Sequence, residues 1–189
     1  GRLDGSARYQ VEYSKNLYLE QMTLGADLIV ADYGRVHVTD GTLTLDNAAV
    51  HLQSTSTNGA FLDFDGAQAL LTGTGEVLFE GNGAANWVRP ITADGVLTID
   101  SGIAIHGPQS GLVGTERLDR EVSVVNRGRI AAEAGSNVSV QASSVRNEGL
   151  LEAQASQQLY VYNLTNAGVG TLKLGGTGSS LFLDNLTKL

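Results

Sequence analysis

The sequence contains no cysteine, which excludes disulfides, thiolate chemistry and cysteine-ligated zinc. It has only two prolines and one tryptophan, and aromatic residues make up 6% of the chain. Charged residues account for 17%, below the roughly 25% of an average domain. Basic residues are scarcest: 12 Lys and Arg stand against 20 Asp and Glu, a net charge of −8 over 189 residues. That balance lacks the basic face a phosphate backbone requires, so nucleic acid is not an expected partner. No apolar run approaches the length of a membrane-spanning helix, and no membrane span is expected. Gly1 to Tyr9 has no apolar signal-peptide core and the chain does not begin with methionine, as in a processed product or a piece of a longer protein. His37, His51 and His106 are scattered, without metal-ligand spacing, so no metal site is expected. No Gly-x-Ser-x-Gly elbow, Walker loop or dinucleotide fingerprint occurs. The expectation is therefore a non-enzyme, with no catalytic residue and no cofactor.

What the chain does have is glycine, 24 residues of it, in a composition that is 42% hydrophobic. Apolar residues alternate with polar ones almost throughout. Leu17/Leu19, Leu28/Val30, Val36/Val38, Leu43/Leu45 and Val50/Leu52 open the series, and Val138/Val140, Leu159/Val161 and Leu181/Leu183 close it. A period of two puts each pair on one face of a strand. No segment of helical length keeps a period of 3.6, so little or no helix is expected. The pairs recur every six to eight residues, with Gly, Asn and Asp between them, as in Asp40-Gly41 and Asn147-Glu148-Gly149. Strands that short leave two or three residues per corner, and three such units make about 21 residues.

That period is visible as an internal repeat. Asn126-Arg127-Gly128-Arg129-Ile130-Ala131-Ala132 recurs as Asn147-Glu148-Gly149-Leu150-Leu151-Glu152-Ala153, and a looser copy starts at Asn166-Ala167-Gly168. Gly and Asn tolerate the positive φ of a tight corner, the Ile or Leu and the Ala point inward, and stacked Asn amides can bond one another. One rung of three short strands cannot bury its own inner face, but stacked rungs can. The reading is an all-β, right-handed parallel β-helix of about eight three-strand rungs in a single solenoid domain, residues 1–189. An antiparallel β-sandwich is the rival, with longer strand spacing and hairpin turns. Three stretches sit outside the rhythm. Residues 1–15 read as a cap or linker, and 80–95 and 106–121, which hold both prolines, as irregular loops.

The Asn-x-Gly-x-Ile/Leu-x-Ala corner resembles the repeats of filamentous-haemagglutinin-like bacterial surface proteins and autotransporter passengers. The likeness is best over residues 122–174. It implies a secreted or surface-displayed bacterial solenoid acting as stalk or adhesin, with a surface glycan or receptor and neighbouring domains of a longer chain as partners. A polysaccharide-active β-helix, a lyase or glycoside hydrolase, is the alternative, because the same solenoid carries enzymes.

Two places bear on these readings. Asp63-Phe64-Asp65 sets two carboxylates on one strand face, the arrangement a glycosidase would use. Trp87 and Arg89, with Asn86, lie in the first irregular loop. A flat ring and a guanidinium suit a sugar, so Asn86, Trp87 and Arg89 are the expected binding residues, presented on a loop. Tyr160 and Tyr162 should project outward together. The threonine pairs near residues 42, 55 and 72 do not share one rung position at their spacings, which argues against a threonine ladder.

Overall fold

The computed structural model describes residues 1–6, 8–83, 85–115, 121–133 and 135–188. Among these there are strands and no helix. All strand pairs are parallel, and they form three ladders. The first ladder runs from Arg2–Asp4 through Met22–Gly25, Val96–Ile99, Ser123–Asn126 and Ser144–Asn147 to Leu164–Asn166 and Thr187–Lys188. The second runs from Tyr9–Val11 through Leu28–Ala31, Ile103–His106, Arg129–Ala132 and Leu150–Gln154 to Thr171–Gly175. Two long strands, Thr42–Ser54 and Gln68–Gly81, serve both ladders, bending between them at the bulge near Asn47. The third ladder stacks Asn16–Leu19, Arg35–Val38, Ala60–Phe64, Asn86–Pro90, Gly111–Gly114, Asn137–Gln141, Gln158–Tyr162 and Ser180–Asp184. The chain visits the ladders in the same order on every turn, which makes it a parallel β-helix of eight three-strand rungs, and hence about seven turns.

Alternation explains the core. Leu28, Val50, Val77, Ile105, Ile130, Leu151 and Leu172 occupy one inward position of the second ladder, in register from rung to rung. All but Leu172 are fully enclosed, and Leu172 is half-covered because it lies in the last rung of its ladder. The expected stack of Ile130, Leu151 and Leu172 is therefore present.

The turn length varies, which the visible repeat hides. In the third ladder Leu17, Val36, Leu62, Val88, Val113, Val140, Val161 and Leu183 stand above one another. Successive steps are 19, 26, 26, 25, 27, 21 and 22 residues. The middle turns are the long ones, and the first and last stay near 21. The expected rung number is met because a second difference offsets the first. Residues 1–15 are not simply a cap, since Arg2–Asp4 and Tyr9–Val11 pair in register with the turn above as strands of the first rung.

The two irregular loops are shorter than expected. Gln68–Gly81 reaches past residue 80, and Asn86–Pro90 is a strand in the middle of the third ladder. Pro90 is tolerated because pairing with Gly111–Gly114 ends at Val88, so its missing N–H has no strand to meet. Of 106–121, His106 and Gly111–Gly114 are strand, and 116–120, with Arg117 and Arg120, lie outside the described residues.

The Asn corner works differently in one respect. Asn126, Asn147 and Asn166 do form a ladder: Asn126 Nδ2 donates to Asn147 Oδ1 (2.8 Å) and Asn147 Nδ2 to Asn166 Oδ1 (2.7 Å). They continue, in register, an inward column that is apolar in earlier rungs: Met22, Leu43, Leu71 and Ile99. The glycines, however, do not serve by positive φ. Gly128 and Gly149 have ordinary φ. A β-carbon on Gly149 would land on the carbonyl oxygen of Gly128, and one on Gly128 on that of Ile103. Glycine is required by the close approach of one corner to the next. In the third copy Gly170, not Gly168, takes that place, two residues farther from its Asn.

Candidate functional site

The strand Asn86–Pro90 alternates strictly: Asn86, Val88 and Pro90 face inward and buried, Trp87 and Arg89 outward and half-buried. Asn86 is therefore not available to a ligand. Its Oδ1 accepts from the Ser54 N–H (3.1 Å) and its Nδ2 donates to the carbonyls of Glu80 (3.1 Å) and Ser110 (3.2 Å). It closes a corner by satisfying backbone groups that the turns leave unpaired. Trp87 and Arg89 stay together, as expected, but on a strand face rather than a loop.

That outer face carries a compact cluster. Phe61 is in register beside Trp87, with ring centroids 5.8 Å apart, and Asp63 beside Arg89. Arg89 Nε donates to Asp63 Oδ1 (2.6 Å), and Arg35 Nη1, from the turn below, to Asp63 Oδ2 (2.5 Å). Both guanidinium groups lie over the Phe61 ring, at 4.2 Å for Arg35 and 4.7 Å for Arg89. The Asp63 side chain is 0% exposed although it points away from the core. Two cations and a ring thus seal a carboxylate that could not be buried unpaired. Asp65, the second member of the expected carboxylate pair, faces His37 Nδ1 at 3.3 Å. Trp87 Nε1 is shielded without a hydrogen-bond partner, beneath Gly59, where any β-carbon would crowd both Phe61 and Trp87.

The same outer face holds a second aromatic group four rungs along. Tyr160 and Tyr162 project outward, as expected, and Tyr160 stacks on Phe182 with centroids 4.7 Å apart and planes 9° from parallel. The spacing of Tyr160 and Phe182 by one turn of the repeat was the signal for this pair.

The outer face of the second ladder is ionic instead. Arg129 bonds Glu152 (2.9 Å) and Glu133, and Lys173 Nζ reaches Glu152 at 2.6 Å. His106 lies between Glu76 (2.9 Å) and Glu133 (2.8 Å). Burial pushes the Glu152 carboxyl up, but Lys173 and Arg129 more than offset it and hold it below the usual carboxylate range. Glu133 is lowered in the same way, burial opposing hydrogen bonds from Arg129 and His106. At a corner, Asp32 is nearly enclosed. Burial raises it, yet bonds from the Ser56 hydroxyl, the Thr55 and Ser56 N–H groups and the Ser54 hydroxyl leave it lowered. Among the described residues no group of three or more His, Asp or Glu could hold a metal ion, and no helix is long and apolar enough to cross a membrane.

The first ladder's outer face corrects one sequence expectation. Thr44 and Thr72 do share one rung position, because the turn between them takes 28 residues, and Thr23 stands in the same column one turn earlier. The column then ends, with Thr72 Oγ1 bonded to Asp100 (2.8 Å). Comparison with family models, with curated proteins and with solved structures returns no match.

Proposed function

We propose that this chain is a structural and adhesive β-solenoid segment of a secreted or surface-displayed bacterial protein, rather than an enzyme. The solenoid scaffold holds an aromatic outer face at fixed spacing for a surface glycan or receptor. The observation that carries this reading is the sealed Asp63: both carboxylate oxygens are taken by guanidinium groups. A carboxylate so paired and 0% exposed is not presented to a substrate, which removes the strand-face pair that a hydrolase would need. The resemblance of residues 122–174 to haemagglutinin-like repeats supports secretion and display, with neighbouring domains on a longer chain. Incubation with immobilised and soluble polysaccharides tests the reading, with bound protein and new reducing or unsaturated ends measured together. Retention on at least one glycan without product is expected. Catalytic release of fragments would replace this reading by the lyase or hydrolase one, and retention on none would remove its adhesive part.

A further inference from the structure

We propose that Asn58 is a site of spontaneous covalent modification, where attack by the Gly59 backbone nitrogen converts the asparagine to aspartate and isoaspartate. The proposal is independent of the adhesive reading above. Asparagine is thermolabile, and a following glycine has no side chain to obstruct ring closure. The chain has two Asn-Gly pairs, Asn58-Gly59 and Asn82-Gly83, in successive turns at the corner that leads into the third ladder. Both asparagines are exposed, and neither side chain makes a hydrogen bond among the described residues. Their glycines differ. The Gly83 N–H donates to the Ser54 carbonyl (2.8 Å), which holds that nitrogen in place. Gly59 is enclosed, with a φ of 88°, and its N–H has no partner among the described residues. The Asp-Gly pairs are restrained too. Asp4 is bonded by Arg2 and Asp65 by His37, while the Gly41 and Gly95 N–H groups donate to the Val38 and Thr92 carbonyls.

An enclosed donor without an acceptor is costly, and ring closure removes it. The Gly59 nitrogen bonds to the side-chain carbonyl carbon of Asn58, and its proton passes to hydroxide. The bond from that carbon to the side-chain nitrogen breaks, and ammonia leaves with a proton from water. Water then opens the imide at one carbonyl or the other, giving aspartate or isoaspartate. In sum, water is consumed and ammonia released. At Gly83 the same closure forfeits the bond to Ser54.

The product alters the Phe61–Trp87 end of the third ladder's outer face. It adds a negative charge, and isoaspartate lengthens the main chain by a carbon directly before Gly59. That corner has no slack. The Gly59 carbonyl accepts from the Tyr33 N–H (2.5 Å), and a β-carbon on Gly59 would lie 2.9 Å from Phe61 Cζ and 3.1 Å from Trp87 Nε1. The longer chain therefore displaces Gly59 and uncovers the Trp87 ring.

Storage of the intact chain at mildly alkaline pH, with peptide mapping by mass spectrometry at intervals, tests the proposal. The amide-to-acid mass change should appear first at Asn58, as both products, with Asn82 slower by about fivefold. In the urea-unfolded chain, where neither glycine N–H is held, the two should react at similar rates. Trp87 is the sole tryptophan, so the emission should shift to longer wavelength in step with isoaspartate at 58. Asn58→Gln, whose longer side chain closes a ring far more slowly, should abolish both the early conversion and the shift. Asn82 reacting as fast as Asn58 in the folded chain overturns the proposal. So does a folded chain that keeps both amides while the unfolded one converts. Conversion of Asn58 with the Trp87 emission unchanged overturns the link to the aromatic face.

Discussion

A buried amide is costly only when its partners are missing, and the Asn ladder makes that asymmetry measurable. Asn126 and Asn147 are fully enclosed, where Leu71 and Ile99 stand in the turns before them. Asn147 Nδ2 also lies 3.3 Å from the Gly149 and Thr171 carbonyls, so the amides fasten the corner as well as one another. Asn147→Leu leaves Asn166 Oδ1 without its donor and Asn126 Nδ2 with only the Leu150 carbonyl at 3.2 Å, and should cost about 2–3 kcal/mol in urea unfolding. Replacing all three asparagines by leucine should cost less than that single change, because no side-chain amide is then left facing a missing partner and the Gly149 carbonyl keeps its bond from the Thr171 N–H. A triple variant that is the least stable of the set contradicts the account. Gly149→Ala tests the close approach of corners. The added carbon meets backbone rather than a movable side chain, and a loss of about 1–3 kcal/mol is expected. No loss would mean that the corners are farther apart than described.

Each ladder has its own outer chemistry, and carboxylates held in bonds on these faces and at the corners set the response to acid. Asp32, Asp100, Glu133, Glu148 and Glu152 all titrate below the usual carboxylate range in the folded chain. A depressed folded pKa contributes stability above the unfolded value, near 4, and loses it as pH falls through the folded value. The urea midpoint should therefore stay level from pH 7 to about 5 and drop below about 4. Glu152→Gln should shrink that drop, since Glu152 is held down by Arg129 and Lys173 across the rungs on either side. A midpoint that rises on acidification contradicts the assignment. The third ladder's Asp63 belongs to the same scale. Arg35→Ala with Arg89→Ala leaves an enclosed carboxylate without a cation and should cost about 3–5 kcal/mol, more than either single change. Equal losses for the double and single variants would show that neither guanidinium seals it.

At the scale of the whole molecule, the solenoid was legible where successive corners keep the same length and residue types. Residues 126–153 repeat at an offset of 21 because the first and second ladders both step by 21 residues there. The middle turns carry up to 27 residues, and corners of changing length erase any fixed period while leaving the alternation intact. The Trp87–Arg89 pair was legible as chemistry but misplaced, because glycines and a proline nearby outweighed the alternation of Asn86, Trp87, Val88 and Arg89. The sealing of Asp63 was not legible at all. Its cover comes from Arg35 and Arg89, 28 and 26 residues away, and only the register of unequal turns brings them together. The far end of the column leaves Leu174, Phe182 and Leu186 about half exposed, so an added turn packed there should raise the melting temperature. The central claim is that the rungs stack singly, in register, from one end to the other. Tyr18 and Asp184 occupy the same outward position of the third ladder, seven steps apart. The absence of cysteine allows a spin label at each, in Tyr18→Cys/Asp184→Cys, without background. Pulsed electron–electron resonance should give one narrow distance near 34 Å, set by about 4.8 Å per rung. A broad distribution, or a distance under about 20 Å, which amounts to four such steps or fewer, would contradict the stack.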